Sequence, residues 1–300
     1  MVPIIFGVTL ITFLIFNVVG GNPVYQFAGK NASAEEIRVL EKELGLDRSL
    51  PAQYVTYVKQ IVTFDFGRSW GTRQKISTMI KNGLGASLSL SVPAFILGVL
   101  LSITISLLLA FFKGRFIDKF FMVFCLGMMS ISYLVYIIFF QYFFGYYLDL
   151  FPISGFDSDW IGRWEYLILP ITIMVIVSQG AAILLYRTII IDEVYQDYVR
   201  TAKAKGLGDR IIYFRHVLKN AMIPIITVVV LEIPFLYTGS FLMEQFFSIP
   251  GLGNMMVTAL QSADFPVIKA MTFIGSFLYI VFNLISDLLY SVVDPRVKLS

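Results

Sequence analysis

Apolar residues in this chain are gathered into six long runs that alternate with polar segments. Crossing a hydrocarbon core about 30 Å thick takes roughly 20 helical residues, and each run is long enough. Backbone groups in lipid must find partners within the protein, and the runs are too long and too uniformly apolar for barrel strands, so they predict helices. The predicted spans lie near residues 2–20, 88–112, 119–147, 165–190, 219–244 and 268–291.

The first run is expected to be a retained membrane helix and not a cleaved signal peptide. No Lys or Arg precedes it, and no small-residue cleavage site follows it. Because the basic start is missing, we expect either that related chains begin a few residues earlier or that this chain starts short.

The distribution of Lys and Arg predicts the orientation of the spans. Cytoplasmic loops carry an excess of these residues, whereas long translocated segments largely escape the rule. The short loops 148–164 and 245–267 carry almost no positive charge, whereas three other segments are rich in it. Both termini are therefore expected in the cytoplasm, with the long segment 21–87 outside. The basic residues of the three cytoplasmic segments are Lys113, Arg115 and Lys119; Arg187, Arg200, Lys203, Lys205, Arg210, Arg215 and Lys219; and Arg296 and Lys298.

The external segment 21–87 is more polar than its flanking runs and predicts a small helical cap. Ser33, followed three residues later by Glu36, fits a capping box at a helix N-terminus. Gly45 fits the C-terminal stop of that helix, because glycine readily adopts the left-handed conformation that ends many helices.

A second short helix is predicted after Ser49, because proline is favoured in the first helical turn and Pro51 stands there. FDFGRSW, residues 64–70, then reads as a turn. We expect this cap to belong to one transmembrane domain that covers residues 1–300. The apolar face of the second helix comprises Tyr54, Tyr57, Val58 and Ile61.

The composition agrees with a membrane protein. The chain is 57% hydrophobic and 14% charged, with a mean hydropathy of +0.78, whereas soluble domains have about 25% charged residues. The single cysteine, Cys125, excludes an internal disulfide and a Cys-based metal site, and we expect it to be a small core residue. The only histidine, His216, cannot form a metal cluster alone, so neither a metal nor a cofactor is expected.

A polar, basic segment, DYVRTAKAKGLGDR at 197–210, stands between the fourth and fifth runs. Its pattern predicts a helix from about Glu193 to Lys205 that ends at Gly206, a natural C-cap. Asp209 is predicted to cap a second helix that runs into the fifth span.

The first of these helices has a surface suited to docking. Thr201, Ala202 and Ala204 are small, so another protein can approach the backbone closely. Val194 and Tyr198 share a face with Ala202 by i, i+4 spacing. The alternative is a basic amphipathic helix that lies on anionic lipid. The small residues and the glycine break favour a protein partner.

DYVRTAKAKGL followed by RHVLKNAMIP resembles the EAA loop of ATP-binding-cassette importer permeases. In particular it resembles the first, B-type permease subunit of the dipeptide, oligopeptide and nickel importers. The resemblance continues in order along essentially the whole chain. The other matching stretches are GGNP at 20–23, LGLDRSLPAQY at 44–54, DFGRSW at 65–70, EQFFSIPGLGNM at 244–255 and DLLYSVVDPR at 287–296.

This resemblance implies an all-α fold of six transmembrane helices with a coupling loop at about 191–219. It implies a heterodimer with a second homologous permease, two cytoplasmic ATP-binding subunits, an extracytoplasmic substrate-binding protein and a prokaryotic plasma membrane, with no role for nucleic acid. Arg200 stands where the general EAA pattern has Glu, an exchange usual in the peptide branch. The residues that correspond to contacts with the ATPase are Tyr198, Arg200, Thr201, Ala202, Lys203, Ala204 and Gly206.

The sequence carries no motif of an enzyme. It contains no GxxxxGK[ST] loop to hold phosphates, no HExxH and no GxSxG, so no catalytic residue is expected. An integral-membrane enzyme or a receptor is the rival from another class, and the coupling loop argues against it. Within transport, a nickel, metallophore or oligosaccharide importer on the same scaffold is the alternative to a peptide importer.

Polar residues inside the spans are candidates for the substrate path, because ionisable side chains at membrane depth are costly. Glu232 lies roughly 15 Å into the fifth span at 1.5 Å per residue, close to the midplane. It either faces the path and meets a substrate cation, or it bonds to a neighbouring helix as a neutral acid. Pro234 and Gly239 predict a bend beside it.

Five further polar residues have simpler interpretations. Gln141 and Gln179, like Asn17, either line the path or form hydrogen bonds between helices. Glu244 and Asp287 lie nearer span ends and are expected to anchor a re-entrant turn and the last helix. The aromatic residues 133–147 are expected to face lipid and form an interfacial belt.

Overall fold

The structure is a computed structural model that describes residues 2–19, 24, 33–43 and 45–293 of the 300-residue chain. GGNP at 20–23 and the tail residues Arg296 and Lys298 lie outside the described residues.

The described residues are largely helical. Three π-helical segments, Ile15–Val19, Gln141–Tyr147 and Ile212–Val217, extend or join helices. The helices are α1 (Val2–Leu14), α2 (Ala34–Glu43), α3 (Leu50–Val62), α4 (Ile76–Phe111), α5 (Phe116–Ser130), α6 (Tyr133–Phe140), α7 (Arg163–Val194), α8 (Asp197–Ala204), α9 (Asp209–Ile211), α10 (Leu218–Thr238), α11 (Phe241–Phe246), α12 (Leu252–Gln261) and α13 (Phe265–Val293).

Within the described residues, four helical stretches are long and apolar enough to cross a membrane, and the bent pair α5–α6 makes a fifth if it counts as one span. The four are Ile76–Phe111, Arg163–Val194, Asp209–Phe246 and Phe265–Leu288. The first predicted span corresponds to the shorter apolar helix Pro3–Val18. The molecule is therefore an integral membrane protein built from helices.

Two predicted spans have different boundaries from those expected. The second begins at Ile76 and not near residue 88, so the last part of the predicted external segment is already helical. The third is broken, with a bend of 91° between α5 and α6. Ile131 and Ser132 both have extended backbones, which cannot continue a helical ladder. At this break the carbonyl of Met128 accepts hydrogen bonds from the Ile131 N–H at 3.3 Å and from the Tyr136 hydroxyl at 3.0 Å.

The chain divides into two compact units. The first comprises Met1–Ser87, Tyr237–Glu244 and Pro250–Val281. Its core is rich in aromatic side chains, and the predicted face of α3 lies in it: Tyr57 and Ile61 are buried, and Tyr54 packs against them.

The helix starts and the helix stop predicted from the sequence in this first unit are confirmed. The backbone N–H of Ser33 donates to Glu36 Oε2 at 2.8 Å, and the N–H of Glu36 donates to Ser33 Oγ at 3.3 Å, which is the reciprocal pattern of a capping box. Gly45 has φ +68° and ends α2. Ser49 precedes α3 as expected, although its side chain makes no capping hydrogen bond.

The second unit comprises Leu88–Leu236, Gln245–Ile249 and Phe282–Ser300. Within it α5 packs against α7. A Cβ at Gly180 would lie 2.9 Å from the Met129 side chain and 3.1 Å from the Cys125 carbonyl oxygen, so glycine permits the close approach of the two helices. Cys125 is buried in a small apolar cluster, as expected for a core residue. Many side chains of α6 and its π-helical extension are exposed, including Phe139 and Tyr142, which fits a lipid-facing role.

Candidate functional site

The basic segment after the fourth span forms a separate short helix, α8, and not a helix that begins at Glu193. The long helix α7 continues to Val194, and Tyr195 and Gln196 turn the chain before α8 starts at Asp197. Gln196 has an extended backbone with ψ 153°, so the two helices cannot be continuous. The predicted start of this helix at Glu193 is therefore wrong, because the helix begins at Asp197.

The C-terminal end of α8 is as predicted. Gly206 has φ +75°, a conformation that residues with a Cβ rarely adopt. The N–H of Leu207 donates to the carbonyl of Ala202 at 3.2 Å, and the N–H of Gly206 donates to that of Lys203 at 2.9 Å. This pair of hydrogen bonds is a Schellman motif. A Cβ at Gly206 would meet no atom within 4 Å, so the glycine is required for its backbone conformation and not for space within this chain.

Asp209 does not cap the next helix. The N-cap is Gly208, whose backbone is extended, and Asp209 is the first residue of α9. Its carboxylate lies 3.7 Å from the ammonium of Lys203. The negative charge still lies in the first helical turn, where it interacts favourably with the helix dipole. As expected, the segment then continues through π-helical residues 212–217 into α10.

One face of α8 is buried against its own chain. Val199 and Ala202 are buried, and Val194 and Tyr198 pack beside them, so the predicted shared face exists. It covers a cluster formed by α4, α7, α10 and the π-helical residues before α10. The buried members of this α8 cluster are Leu107, Ala110, Tyr186, Ile190, Val199, Ala202, Ile212, Tyr213, Val217, Ala221 and Ile225. Ala202 therefore packs inward, which corrects the expectation that its small side chain is presented to a partner.

Tyr198 is a half-buried member of the same face. Its hydroxyl donates a hydrogen bond to Glu193 Oε2 at 2.8 Å, which joins the start of α8 to the end of α7. Burial, helped by Glu193 and opposed by a hydrogen bond with Asn220, raises the pKa of Tyr198 to about 12. The phenol is therefore a hydrogen-bond donor at neutral pH.

The opposite face of α8, which we call the outer face, is exposed and polar. Two ion pairs lie on it, Arg200 with Asp197 at 3.4 Å and Lys203 with Asp209 at 3.7 Å. Exposed pairs of this kind add little stability, so the charges remain available to a partner. The outer face comprises Arg200, Thr201, Lys203, Ala204 and Gly206.

Glu232 lines a cavity of about 390 Å³ within the second unit, between α4, α7 and α10. The wall is mostly apolar, with three serine hydroxyls, from Ser91, Ser102 and Ser178, and a tyrosine, Tyr186. Such a wall resembles ligand sites, which are largely apolar with a few placed polar groups. We call this space the Glu232 cavity; it is lined by Ser91, Ala94, Phe95, Gly98, Val99, Ser102, Met174, Ser178, Ala181, Ala182, Leu185, Tyr186, Glu232 and Leu236.

The two glutamines form hydrogen bonds between elements and are not among the residues that line this cavity. Gln179 accepts a hydrogen bond from the Ser102 hydroxyl at 3.0 Å and donates to the Gly98 carbonyl at 3.3 Å, so it joins α7 to α4. Gln141 donates to the carbonyls of Ile153 and Phe246 at 3.0 and 3.1 Å. Both side chains therefore form hydrogen bonds between elements, and their place in the substrate path stays a prediction.

Glu244 is fully buried in the first unit and anchors the turn that follows α11. Its Oε1 accepts a hydrogen bond from Ser87 Oγ at 2.6 Å, and its Oε2 accepts one from the Asn254 N–H at 2.8 Å. This agrees with the structural role expected for Glu244. Asp287, by contrast, is exposed on α13.

The contacts of three charged residues, Asp118, Arg187 and Lys269, were not predicted from the sequence. Asp118 and Arg187 form a bidentate ion pair in the second unit, with Nε–Oδ1 and Nη2–Oδ2 distances of 2.6 and 2.7 Å. In the first unit, Lys269 donates to Asn17 Oδ1 at 2.9 Å. A lysine inside an apolar run was the available signal for Lys269. The pairing of Asp118 with Arg187 has no local signal, because the residues are 69 positions apart.

Comparison with known proteins places these features in a family. Residues 102–299 match the family described as binding-protein-dependent transport system inner membrane component, and residues 1–91 match the N-terminal domain of such membrane components. The dipeptide transport system permease protein DppB of Alkalihalophilus pseudofirmus is 30% identical, over 99% of this chain and 96% of the relative. The glutathione transport system permease proteins GsiC of Shigella flexneri and Escherichia coli K12 are also 30% identical, with the same coverage. The chain therefore belongs to the family of inner membrane components of binding-protein-dependent transport systems.

Proposed function

We propose that this chain is one permease subunit of an ATP-driven peptide importer. It pairs with a second homologous permease, two cytoplasmic ATP-binding subunits and an extracytoplasmic binding protein in a prokaryotic plasma membrane. The observation that carries the proposal is α8: a short helix with a buried apolar face, a polar outer face and a glycine stop, in a chain that is similar throughout to permeases named for dipeptides and glutathione.

The outer face of α8 is the proposed contact with an ATPase. Its small residues Thr201 and Ala204 permit close approach, and Gly206 leaves open space at the helix end. Arg200 and Lys203 supply charge at the rim of the contact. The ATPase would therefore receive the exposed side of the helix.

The buried face of α8 explains how such a contact would move the membrane helices. Val199 and Ala202 pack into a cluster to which α4, α7 and α10 all contribute. Packed apolar clusters are dense and do not deform continuously. A displacement of α8 driven by ATP is thus transmitted to three membrane helices together, which couples hydrolysis to opening and closing of the path.

The Glu232 cavity is the proposed contribution of this chain to the substrate path. It lies between the same three helices, α4, α7 and α10, and carries a carboxylate in a largely apolar wall. A carboxylate at membrane depth stabilises a cation, and the amino terminus of a peptide is one. In the same proposal, six spans place both termini in the cytoplasm, with α2 and α3 outside.

Reconstitution tests the proposal directly. The permease pair, its ATPases and the binding protein would be assembled in proteoliposomes, and uptake of labelled Ala-Ala and of glutathione would be measured with ATP and with a non-hydrolysable analogue. We expect uptake of a peptide with ATP only, and co-purification of an ATPase with this chain. Uptake of nickel or an oligosaccharide instead of peptides would reassign the substrate. Failure of any ATPase to co-purify would overturn the importer assignment.

A further inference from the structure

A second cavity, of about 470 Å³, lies within the first unit, and basic residues dominate its charged lining. It is formed by α3, the turn at 66–70, the π-helical residues after α1 and the start of α13. We call it the Lys269 cavity. Its volume is in the range of ligand-binding pockets. Its wall includes Lys42, Arg48, Arg68, Arg73 and Lys269, and none of the described residues that line it carries a carboxylate.

Lys269, on α13, is one of these basic lining residues. Its ammonium donates to Asn17 Oδ1 at 2.9 Å and lies 5.5 Å from the centroid of the Tyr57 ring. An ammonium has three donors, so Asn17 satisfies only part of its capacity. Within the part of the chain that the structure describes, no carboxylate forms an ion pair with Lys269. A cation in this setting favours an anion as its partner.

Tyr57 supplies an independent sign of a missing partner. It lines the same cavity and is only 6% exposed, and its hydroxyl is buried without a hydrogen-bond partner among the described residues. Burial, with a smaller effect of Tyr54, raises the pKa of Tyr57, so the phenol keeps its proton at neutral pH. A buried donor with no acceptor is unfavourable, and an oxygen anion beside Lys269 would satisfy it.

The carboxylate of Asp264, which directly precedes α13, is already engaged by hydrogen bonds. Asp264 accepts hydrogen bonds from Ser69 Oγ at 2.5 Å, the Trp70 N–H at 3.0 Å and the Gly71 N–H at 3.2 Å. These bonds hold Ser69 and Trp70 in the cavity wall. Asp264 therefore shapes the cavity, and its oxygens are occupied by donors of the turn.

We propose that the Lys269 cavity binds an oxyanion, a carboxylate or phosphate group, through the Lys269 ammonium and the Tyr57 hydroxyl. The anion could be carried by a dissolved small molecule or by the headgroup of an anionic lipid, since both offer the same oxygens to the same donors. The inference rests on the geometry of this cavity and does not depend on transport of peptides.

Trp70 lines the cavity and makes binding measurable. The chain has two other tryptophans, Trp160 and Trp164, so a Trp160→Phe, Trp164→Phe background leaves Trp70 as the only indole. The full chain would be placed in phosphatidylcholine nanodiscs and titrated with inorganic phosphate, with sodium acetate, or by exchange into discs that contain phosphatidylglycerol. We expect a saturable change in Trp70 emission. Saturation by phosphate or acetate indicates a dissolved ligand, and a response to phosphatidylglycerol alone indicates a lipid headgroup.

Two variants with matched controls decide whether the named donors are responsible. Tyr57→Phe removes only an unpartnered hydroxyl and is expected to fold normally, with Tyr54→Phe as its control. Lys269→Met removes the cation, with Lys59→Met, at an exposed position of α3, as its control. We expect Lys269→Met to weaken the apparent affinity about tenfold or more, as for loss of a charged hydrogen bond, and Tyr57→Phe to weaken it by a smaller factor. No saturable response to any of the three anions, or equal affinity in the parent and Tyr57→Phe, would overturn the proposal.

Discussion

The hydroxyl of Ser87 donates a hydrogen bond to Oε1 of Glu244, 2.6 Å away and 157 positions later in the chain. The carboxylate is enclosed by glycines, because a Cβ at Gly239 or Gly251 would overlap it. The same serine oxygen accepts the Leu252 N–H at 2.7 Å. The pair thus joins α4 to α11 and to the start of α12.

Replacement of Glu244 should destabilise this turn. Glu244→Ala leaves the Asn254 N–H and the Ser87 hydroxyl without their buried acceptor, and we expect a loss of about 3 kcal/mol in the free energy of unfolding. Thermal denaturation in detergent and the yield of purified chain would measure it. Gln245→Ala, at the exposed neighbouring position, is the control. Equal melting temperatures for the two variants would contradict the anchoring role.

The two faces of α8 should respond differently to the same new charge. Ala202→Glu places a carboxylate in the buried cluster and should cost about 3 kcal/mol of stability, with low yield of the chain. Ala204→Glu lies on the outer face and should leave stability unchanged while reducing ATP-driven uptake and the recovery of the ATPase. Melting temperature and ATPase co-purification separate the two effects. A stable Ala202→Glu chain that lost only its ATPase would show that Ala202 faces the partner after all.

Gly206 and Gly208 form a matched pair for testing the helix stop. Gly206 has φ +75°, whereas Gly208 has φ −68°, and a Cβ at either meets nothing within 4 Å. Gly206→Val forces a branched residue into the left-handed region, at a cost of about 2 kcal/mol, and should fray the end of α8 and reduce uptake. Gly208→Val should be tolerated. If both variants transport at the parental rate, the glycine stop is dispensable for coupling.

The charge of Glu232 should affect which substrates are carried. Glu232→Gln keeps size and hydrogen-bonding capacity but removes the charge, so we expect the KM for peptides with a free amino terminus to rise about tenfold, with little change for N-acetylated peptides. Complex yield should be unaffected. Glu165→Gln, at an exposed position outside the cavity, is the control. If Glu232→Gln transports both classes of peptide with the parental kinetics, the charge of Glu232 has no role in substrate selection.

The pair Asp118–Arg187 should stabilise α5 against α7. Their side chains are 3% and 13% exposed, and Asp118 also accepts the Gly114 N–H at 2.8 Å. Removing one partner leaves a buried charge uncompensated, so Asp118→Asn and Arg187→Gln should each cost about 3–5 kcal/mol. The double variant should lose less free energy of unfolding than the sum of the losses in the two single variants. Additive losses in a double-mutant cycle would show that the residues do not interact.

Features set by a few neighbouring residues could be read from the sequence. Membrane-crossing helices follow from the length of the apolar runs, because lipid leaves the backbone few alternatives. The capping box of Ser33 and Glu36 and the glycine stops at Gly45 and Gly206 were likewise predicted. Each depends on hydrogen bonds between groups within about one helical turn.

Packing decided what the local pattern left open. The apolar stripe of α8 indicated a shared face but not whether it meets a partner or its own chain, and the structure turns Val199 and Ala202 inward. The break between α5 and α6 at Ile131 could not be predicted from the sequence, since a bent helix and a straight one have the same apolar composition.

The sequence by itself therefore determined a helical membrane protein with a basic segment between its fourth and fifth apolar runs, because hydrophobic burial and helix capping act locally along the chain. Only the tertiary structure decided which distant polar groups meet: Ser87 with Glu244, Asp118 with Arg187 and Lys269 with Asn17, the last pair 252 positions apart. The physical reason is that a buried polar group takes whichever partner the packed helices bring within about 3 Å, and that geometry is a property of the assembled fold.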